Sequence, residues 1–491
     1  MSVDDMLRRV LRAPVYDVAQ ETPLEVAEQL SSRLGSTVLL KREDLQPVFS
    51  FKLRGAYNRM FQLTSTERAA GVIASSAGNH AQGVALAAAR LNIDALIVMP
   101  RTTPPIKVRA VDRLGARTVL HGDAYDDAYA HARALAEETG RVFIHPYDDP
   151  DVIAGQGTIA LEILRQQPAP LDALFVCVGG GGLIAGVSAI FSRVSPETKV
   201  IGVEPTDAAC LTAALREGRR VRLPEVGIFA DGVAVAQVGE HPFAIARECV
   251  DEMITVDIDE ICAAIKDIFT DTRSIAEPAG ALGVAGAKKW LGQHAKRDLL
   301  VAATVSGANL NFDRLRHIAE RTELGEGREV LLAATIPERP GSFKAFCRGL
   351  GGRNITEFNY RYSGPGEAHV FVGLSLGEGT AEKASLLEEL GRAGIPVEDL
   401  SDDEMAKLHL RHLVGGRVAG LENERLYRFE FPERPGALGE FLDRMSGEWN
   451  ISLFHYRNHG AAFGRVLAGV QVPEDELSRW EAVLEEIGYA Y

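Results

Sequence analysis

The stretch Ser50-Phe51-Lys52-Leu53-Arg54-Gly55 sets a lysine among apolar neighbours, after the turn-like Gln46-Pro47 and before a helical run from Leu53. Burial disfavours the charged ammonium, so a lysine held in such surroundings has its pKa lowered. The free amine is then nucleophilic enough to form a Schiff base with a carbonyl. A surface lysine that snorkels its ammonium into water is the ordinary alternative. The flanking sequence separates the two readings.

Outward from Lys52, short apolar runs alternate with amphipathic helical patterns between about Thr37 and Val305. Thr37–Leu40, Val72–Ala74, Ala95–Met99, Thr118–Leu120 and Val142–Ile144 read as strands, as do Ala173–Val178, Val200–Val203 and Leu299–Ala303. Gly55–Leu63, Ala81–Leu91 and Ile184–Phe191 read as helices. The alternation implies an α/β fold of βαβ units, with mostly parallel sheets covered by helices. Ligands in such folds bind in crevices beyond the carboxyl ends of strands, so chemical motifs are expected where a strand hands over to a helix.

Three motifs fall there. Ser75-Ser76-Ala77-Gly78-Asn79-His80 follows the strand at Val72–Ala74. Small residues let backbone approach a ligand closely, and the N–H groups at a helix start favour anions. Gly179-Gly180-Gly181-Gly182-Leu183 follows Leu174–Val178. Four glycines remove every Cβ, so consecutive amides can form a concave anion nest, and a helix N-terminus adds partial positive charge. A phosphate dianion suits it. A dinucleotide fingerprint competes here, since Gly180, Gly182 and Ala185 fit GxGxxA and Glu204 ends the next strand. It accounts for neither Lys52 nor Ser76–Asn79. Thr304-Val305-Ser306-Gly307-Ala308-Asn309 follows the last strand and by itself is an ordinary Ser/Gly turn.

In combination these stretches resemble the serine/threonine dehydratases, and together with the C-terminal third the biosynthetic threonine deaminases among them. The resemblance runs from Ala13-Pro14-Val15-Tyr16 to Tyr491. It implies a tryptophan-synthase-β-like (type II) catalytic domain of two open parallel-sheet subdomains that uses pyridoxal 5'-phosphate. By the same resemblance Lys52, next to Phe51, carries the cofactor and, once freed, takes the substrate Cα proton. Ser76, Ala77, Gly78 and Asn79 receive the substrate carboxylate, and Asn79 also meets the cofactor's 3′ oxygen. Gly179, Gly180, Gly181, Gly182 and Leu183 hold the phosphate, which supplies the proton for the leaving β-hydroxyl. Ser306 faces the pyridine nitrogen. A carboxylate there would keep that nitrogen protonated and the ring a strong electron sink; a serine leaves it largely neutral, which favours prompt loss of a β-substituent. Phe229–Ala234 and Ala276–Ala281 match stretches near the ring, with no catalytic role carried over, Glu277 included. Some relatives bind a divalent cation near Glu204–Cys210; Cys210 stands where their aspartate would be, so no metal is expected.

The implied reaction converts L-threonine, and L-serine beside it, to a 2-oxo acid and ammonia, 2-oxobutanoate in the case of threonine. A racemase would share the lysine and the glycine loop, but serine racemases carry a serine base where Ala77 stands. A silent sensor built on a dead enzyme is the alternative from another class; intact Lys52, Asn79 and Ser306 argue against it.

Beyond Gly325 the chain repeats itself. Val330–Ile336 leads to Pro337-Glu338-Arg339-Pro340-Gly341, and Leu426–Phe431 leads to Pro432-Glu433-Arg434-Pro435-Gly436. Asn354-Ile355-Thr356-Glu357-Phe358-Asn359-Tyr360-Arg361 is echoed by Asn450-Ile451-Ser452-Leu453-Phe454-His455-Tyr456-Arg457. Each copy reads as strand, turn, helix, two strands and helix, a ferredoxin-like α+β plan. The plan resembles the ACT family of amino-acid-sensing domains. Expected boundaries are 1–324 for the catalytic domain and 325–416 and 417–491 for the copies, with Gly325–Arg328 as linker. The resemblance implies inhibition by isoleucine, activation by valine and a homotetramer. Effector contacts are expected at the helix starts near Phe343 and Leu438, or on the strands at Phe358, Tyr360 and Tyr456. A pair that serves only assembly is the plainer reading.

Length and composition agree. A chain of 491 residues suggests about three domains, and 46% apolar residues allow sizeable cores. The net charge of −15 argues against nucleic acid or an anionic membrane as partner. Cys177, Cys210, Cys249, Cys262 and Cys347 are scattered and odd in number, which reads as reduced thiols in the cytoplasm. Met1–Leu11 has no apolar core of a signal peptide, and no apolar run reaches membrane-span length. The twelve histidines form no HExxH-type cluster; His409 and His412 are expected at the surface.

Overall fold

The computed structural model describes residues 2–294, 298–312, 314–325, 329–339, 341–362, 366–377, 380–401, 422–432, 441–442, 449–457 and 463–487. The chain divides into two compact units, Met1–Thr322 and Glu323–Tyr491.

The first unit holds strands β1 (Leu24–Val26), β2 (Thr37–Arg42), β3 (Val72–Ser75), β4 (Ala95–Met99), β5 (Arg117–Leu120), β6 (Val142–Phe143), β7 (Ala173–Cys177), β8 (Lys199–Pro205), β9 (Glu252–Val256) and β10 (Leu300–Val305). They form two sheets, ordered β1-β2-β10-β7-β8-β9 and β5-β4-β3-β6. Every pairing is parallel except β1 with β2. β3 and β7 are buried along their whole length. That is why they read as continuous apolar runs rather than alternating ones. One core packs Phe175, Ile184 and Ala302 about the larger sheet, and a second packs Ala74, Val84 and Ile97 about the smaller.

Two helix starts differ from expectation. The helix expected from Gly55 begins at Lys52 and runs to Phe61. Gly55 is not an entry residue but a crossing point: a Cβ there would lie 2.6 Å from the Val152 carbonyl oxygen of the helix Pro150–Gln166. Gly155 faces it, and its Cβ would come 2.6 Å from Gly55 Cα. The helix expected from Ala81 begins at Asn79, directly after the Ser76–Gly78 loop. β10 also runs on through Val305, so Ser306 is the first residue beyond it.

The second unit is a seven-stranded antiparallel sheet, built from β11 (Glu329–Glu338), β12 (Ile355–Arg361), β13 (Gly366–Ser375), β14 (Val397–Asp399), β15 (Glu424–Pro432), β16 (Asn450–Arg457) and β17 (Phe463–Gln471). Its order is β14-β11-β13-β12-β16-β17-β15. The two sequence copies therefore share one sheet, joined through β12 and β16. Phe358 pairs with Tyr456 and Tyr360 with Phe454, so equivalent residues exchange places about the Asn359–His455 pair. That is the register of a pseudo-two-fold axis. The copies match in detail as well. Both break register at the same position, between Ile355 and Glu357 and between Ile451 and Leu453. Thr356 Oγ1 donates to Glu329 in one, and Ser452 Oγ donates to Glu424 Oε1 in the other, at 2.6 Å. Gly373 and Gly469 leave the room these pairs occupy. Phe346, Phe358, Phe429, Phe441, Phe454 and Trp480 fill the core.

The helix Arg314–Gly325 extends through the first residue of the expected linker. Residues 326–328, the expected division between copies at 416 and 417, Leu438, His409 and His412 lie outside the described residues. No helix among the described residues is long and apolar enough to cross a membrane.

Candidate active site

The loop ahead of Lys52 is stitched to the end of β10. Ser50 bridges to Gly307, and the Phe51 amide donates to the Ser306 carbonyl at 3.3 Å. Two segments of sequence far apart, the lysine stretch and the Ser/Gly turn, thus share one corner. Lys52 Nζ donates to the Pro146 carbonyl at 3.1 Å and lies 5.3 Å from the centroid of the Phe51 ring. Burial brings its pKa down to about 8, with Cys177 and Glu277 acting in the opposite direction.

The tetraglycine loop runs from β7 into the helix Gly182–Val194, with Gly181 in the left-handed region at φ +91°. A Cβ on Gly180 would sit 2.2 Å from the Tyr147 ring, and one on Gly179 would lie 2.9 Å from Val233 Cα. The glycines are thus demanded by packing against Tyr147 and Val233. Pro146 and Tyr147 connect the two halves of the site, one touching the lysine and the other the glycine loop. Leu183, the residue after the glycines, is buried.

Ser76, Ala77, Gly78 and Asn79 are half-buried at the start of the helix Asn79–Leu91. Ser76 Oγ accepts from the Gly78 amide at 3.2 Å, which fixes the turn. Asn79 Nδ2 donates to Glu277 Oε1 at 2.5 Å, and Asn79 Oδ1 accepts from Asn309 Nδ2 at 2.7 Å. Burial, with Asp231 adding to it, pushes the Glu277 carboxyl up to about 7; Asn79, Lys107 and Lys52 act against the rise. Ser306 Oγ donates to the Ala279 carbonyl at 3.3 Å. Burial holds His80 down to about 3 and His145 down to about 4, so both imidazoles stay neutral. Of these groups, Lys52 and Glu277 have the pKa values nearest neutrality.

Lys52, Asn79, the glycines and Ser306, all expected at the site from sequence, lie at the ends of the elements described above. Glu277 and Asn309 stand inside the stretches Ala276–Ala281 and Thr304–Asn309 with no role legible from sequence, and Tyr147 lies in none of the motifs. Glu204 is turned elsewhere: its carboxylate accepts from the Leu211 and Thr212 amides and Thr212 Oγ1 at 2.7–2.9 Å. It caps the helix Cys210–Glu217, where the Cys210 thiol donates to the Gly179 carbonyl at 3.4 Å. No group of three His, Cys, Asp or Glu among the described residues is arranged to hold a metal ion.

In the second unit, Phe343 and Tyr360 line a small open pocket together with Glu338, Ser342, Trp449 and Asn450. Both copies contribute. All four expected residues, Phe343, Phe358, Tyr360 and Tyr456, are buried in the core of the sheet, and Phe343 and Tyr360 also line the pocket.

The family model described as pyridoxal-phosphate dependent enzyme matches residues 15–307, and that described as the C-terminal regulatory domain of threonine dehydratase matches 320–410 and 415–491. The chain is 55% identical to the L-threonine dehydratase biosynthetic IlvA of Escherichia coli K12, over 99% of this chain and 94% of the relative. The chain belongs to the threonine dehydratase family. Among solved structures, the processed form of threonine deaminase isoform 2 from Solanum lycopersicum superposes with a TM-score of 0.64, at 52% identity, over 65% of this chain and 93% of that one. Maize serine racemase gives 0.60 at 31% identity, over 64% and 95%.

A threonine dehydratase family member is a pyridoxal-phosphate dependent lyase, with the type II fold of two parallel-sheet subdomains and a C-terminal regulatory domain. The residues present fit the cofactor: a half-buried lysine amine of lowered pKa lies on the Pro146 carbonyl, next to the Tyr147 ring that packs on a glycine loop in which added Cβ atoms would clash, and that loop opens a helix N-terminus suited to phosphate.

Proposed function

We propose that this enzyme deaminates L-threonine by loss of the β-hydroxyl, yielding 2-oxobutanoate and ammonia at the entry to isoleucine biosynthesis. L-Serine is a further substrate. The observation that carries the reading is a lysine of pKa about 8 whose loop is stitched to the Ser306 turn and whose amine donates to the Pro146 carbonyl, next to the Tyr147 ring that packs on the tetraglycine loop. The substrate is supported by the name of the relative at 55% identity.

The bound cofactor supplies an electron sink for the carbanion formed at the substrate Cα. Lys52 would hold it, with Phe51 alongside. Gly179–Gly182 and Leu183 would take its phosphate at the helix start, Asn79 would face its 3′ oxygen and Ser306 its pyridine nitrogen. The amides and small side chains of Ser76, Ala77, Gly78 and Asn79 orient the substrate carboxylate. Lys52, once free, accepts the Cα proton; a pKa near 8 leaves about a tenth of it unprotonated at pH 7, far more than an ordinary lysine. Lys52→Ala is expected to abolish 2-oxo acid formation, and wild-type turnover in that variant would end the assignment.

Isoleucine inhibits and valine activates through the C-terminal unit, in this proposal. The pocket at Phe343 and Tyr360 is the supporting feature, since its lining combines apolar side chains with Glu338 and Ser342. Leu438 is the counterpart in the second copy. We also propose copies bounded at 325–416 and 417–491, a homotetramer and a cytoplasmic enzyme without a metal cofactor.

Racemisation is the second reading, favoured by the 31% identity to maize serine racemase. Ala77 has no hydroxyl to serve as a second base in the Ser76–Asn79 loop, which disfavours it. A chiral assay with D-threonine or D-serine as the main product would reverse the choice.

A further inference from the structure

The Val48 carbonyl can only accept a hydrogen bond, and Asn309 meets it through Nδ2 at 2.8 Å. This fixes which end of the Asn309 amide is NH2. The same nitrogen lies 2.7 Å from Asn79, so Asn79 must turn its carbonyl oxygen there. Its NH2 group is then committed to the other side, where one hydrogen reaches Glu277 Oε1 at 2.5 Å. One hydrogen of that NH2 group remains for the site. A primary amide that was free to flip would present a donor or an acceptor equally well; here a backbone carbonyl at one end and a carboxylate at the other remove the choice.

We propose that Asn309 is a positioning residue that locks Asn79 as a one-way hydrogen-bond donor toward the 3′ oxygen of the cofactor. The inference rests on the reading of Asn79 as the group facing that oxygen. A fixed donor favours the anionic form of the 3′ oxygen, since hydrogen bonds to a charged form stabilise it. An acceptor in the same place would repel it. Asn309 also ties the loop ahead of Lys52 to the turn after β10, so a purely structural role has to be separated from an orienting one.

The test compares purified holoenzyme of wild type, Asn309→Asp, Asn309→Ala and Asn79→Ala. It reads the absorbance of the lysine-bound cofactor across pH, the cofactor dissociation constant and the melting temperature. Asn309→Asp is nearly isosteric but presents acceptors, so it draws the Asn79 NH2 group round and turns its carbonyl to the site. The expected result is a loss of the long-wavelength band in favour of the short-wavelength form, matching Asn79→Ala, with cofactor held about tenfold more weakly. Asn309→Ala, which leaves Asn79 unbiased, falls between Asn309→Asp and wild type. A wild-type spectrum in Asn309→Asp beside an altered one in Asn79→Ala overturns the role of Asn309 alone. Wild-type spectra in both overturn the reading of Asn79 beneath it. Equal losses of melting temperature in the two Asn309 variants with unchanged spectra show an anchor and not an orienting group. If Asn309→Asp does not fold, Asn309→Ala decides: an altered spectrum supports the proposal and a wild-type one sinks it.

Discussion

An amine with a pKa near 8 behaves differently from an ordinary lysine near 10.4. In cofactor-free enzyme, about half of Lys52 is free amine at pH 8, so cofactor capture is expected to accelerate up to that pH and level off above it. An inflection near 10.4 would contradict the burial of this amine. The same shift bears on stability. Between about 8 and 10.5 the folded state holds fewer protons at Lys52 than the unfolded chain, so this group's contribution to stability rises with pH across that window. Residue types were legible because the chemistry confines them: an amine, a row of glycines, a hydroxyl. Asn309, Glu277 and Tyr147 were not, because their roles arise from contacts with residues far along the chain. Asn309 meets Asn79 across 230 positions, and Asn79 meets Glu277 across 198.

Alternation of strand and helix was readable from apolar runs, and element ends were not. The helix bearing Lys52 starts three residues before Gly55 because a neighbouring helix, and not a turn, calls for that glycine. Patterning also hid what anchors this helix. Arg54 stands in the motif stretch as a mere neighbour of Lys52, yet it is fully buried. Its guanidinium meets Glu43 at 2.8 Å and Glu162 at 2.6 and 3.0 Å, and Lys41 Nζ meets Glu162 at 2.6 Å. Removing one partner of a buried ion pair leaves an uncompensated charge, at a cost of about 3–5 kcal/mol. Glu162→Ala is therefore expected to lower unfolding stability by that order in denaturant titration. A change below about 1 kcal/mol would mean that water or another group takes over the charge of Arg54 and Lys41.

Duplication of the C-terminal third was visible in paired motifs, whereas the single sheet was not. Nothing in the sequence of either copy says that Asn354–Arg361 lies beside Asn450–Arg457; the pairing of β12 with β16 is a long-range choice made by edges and packing. That pairing brings Trp449 and Asn450 of the second copy into one pocket lining with Ser342 and Phe343 of the first. Phe343→Ala is expected to weaken isoleucine inhibition while leaving the rate without effector close to wild type. Unchanged inhibition in that variant would move the effector elsewhere. The account as a whole stands on one assay, the initial rate of 2-oxo acid formation against threonine concentration, with and without isoleucine. It predicts sigmoidal turnover that isoleucine suppresses. Turnover indifferent to isoleucine would reduce the paired copies to an assembly role, and no turnover in enzyme with cofactor bound would contradict the central claim of threonine deamination.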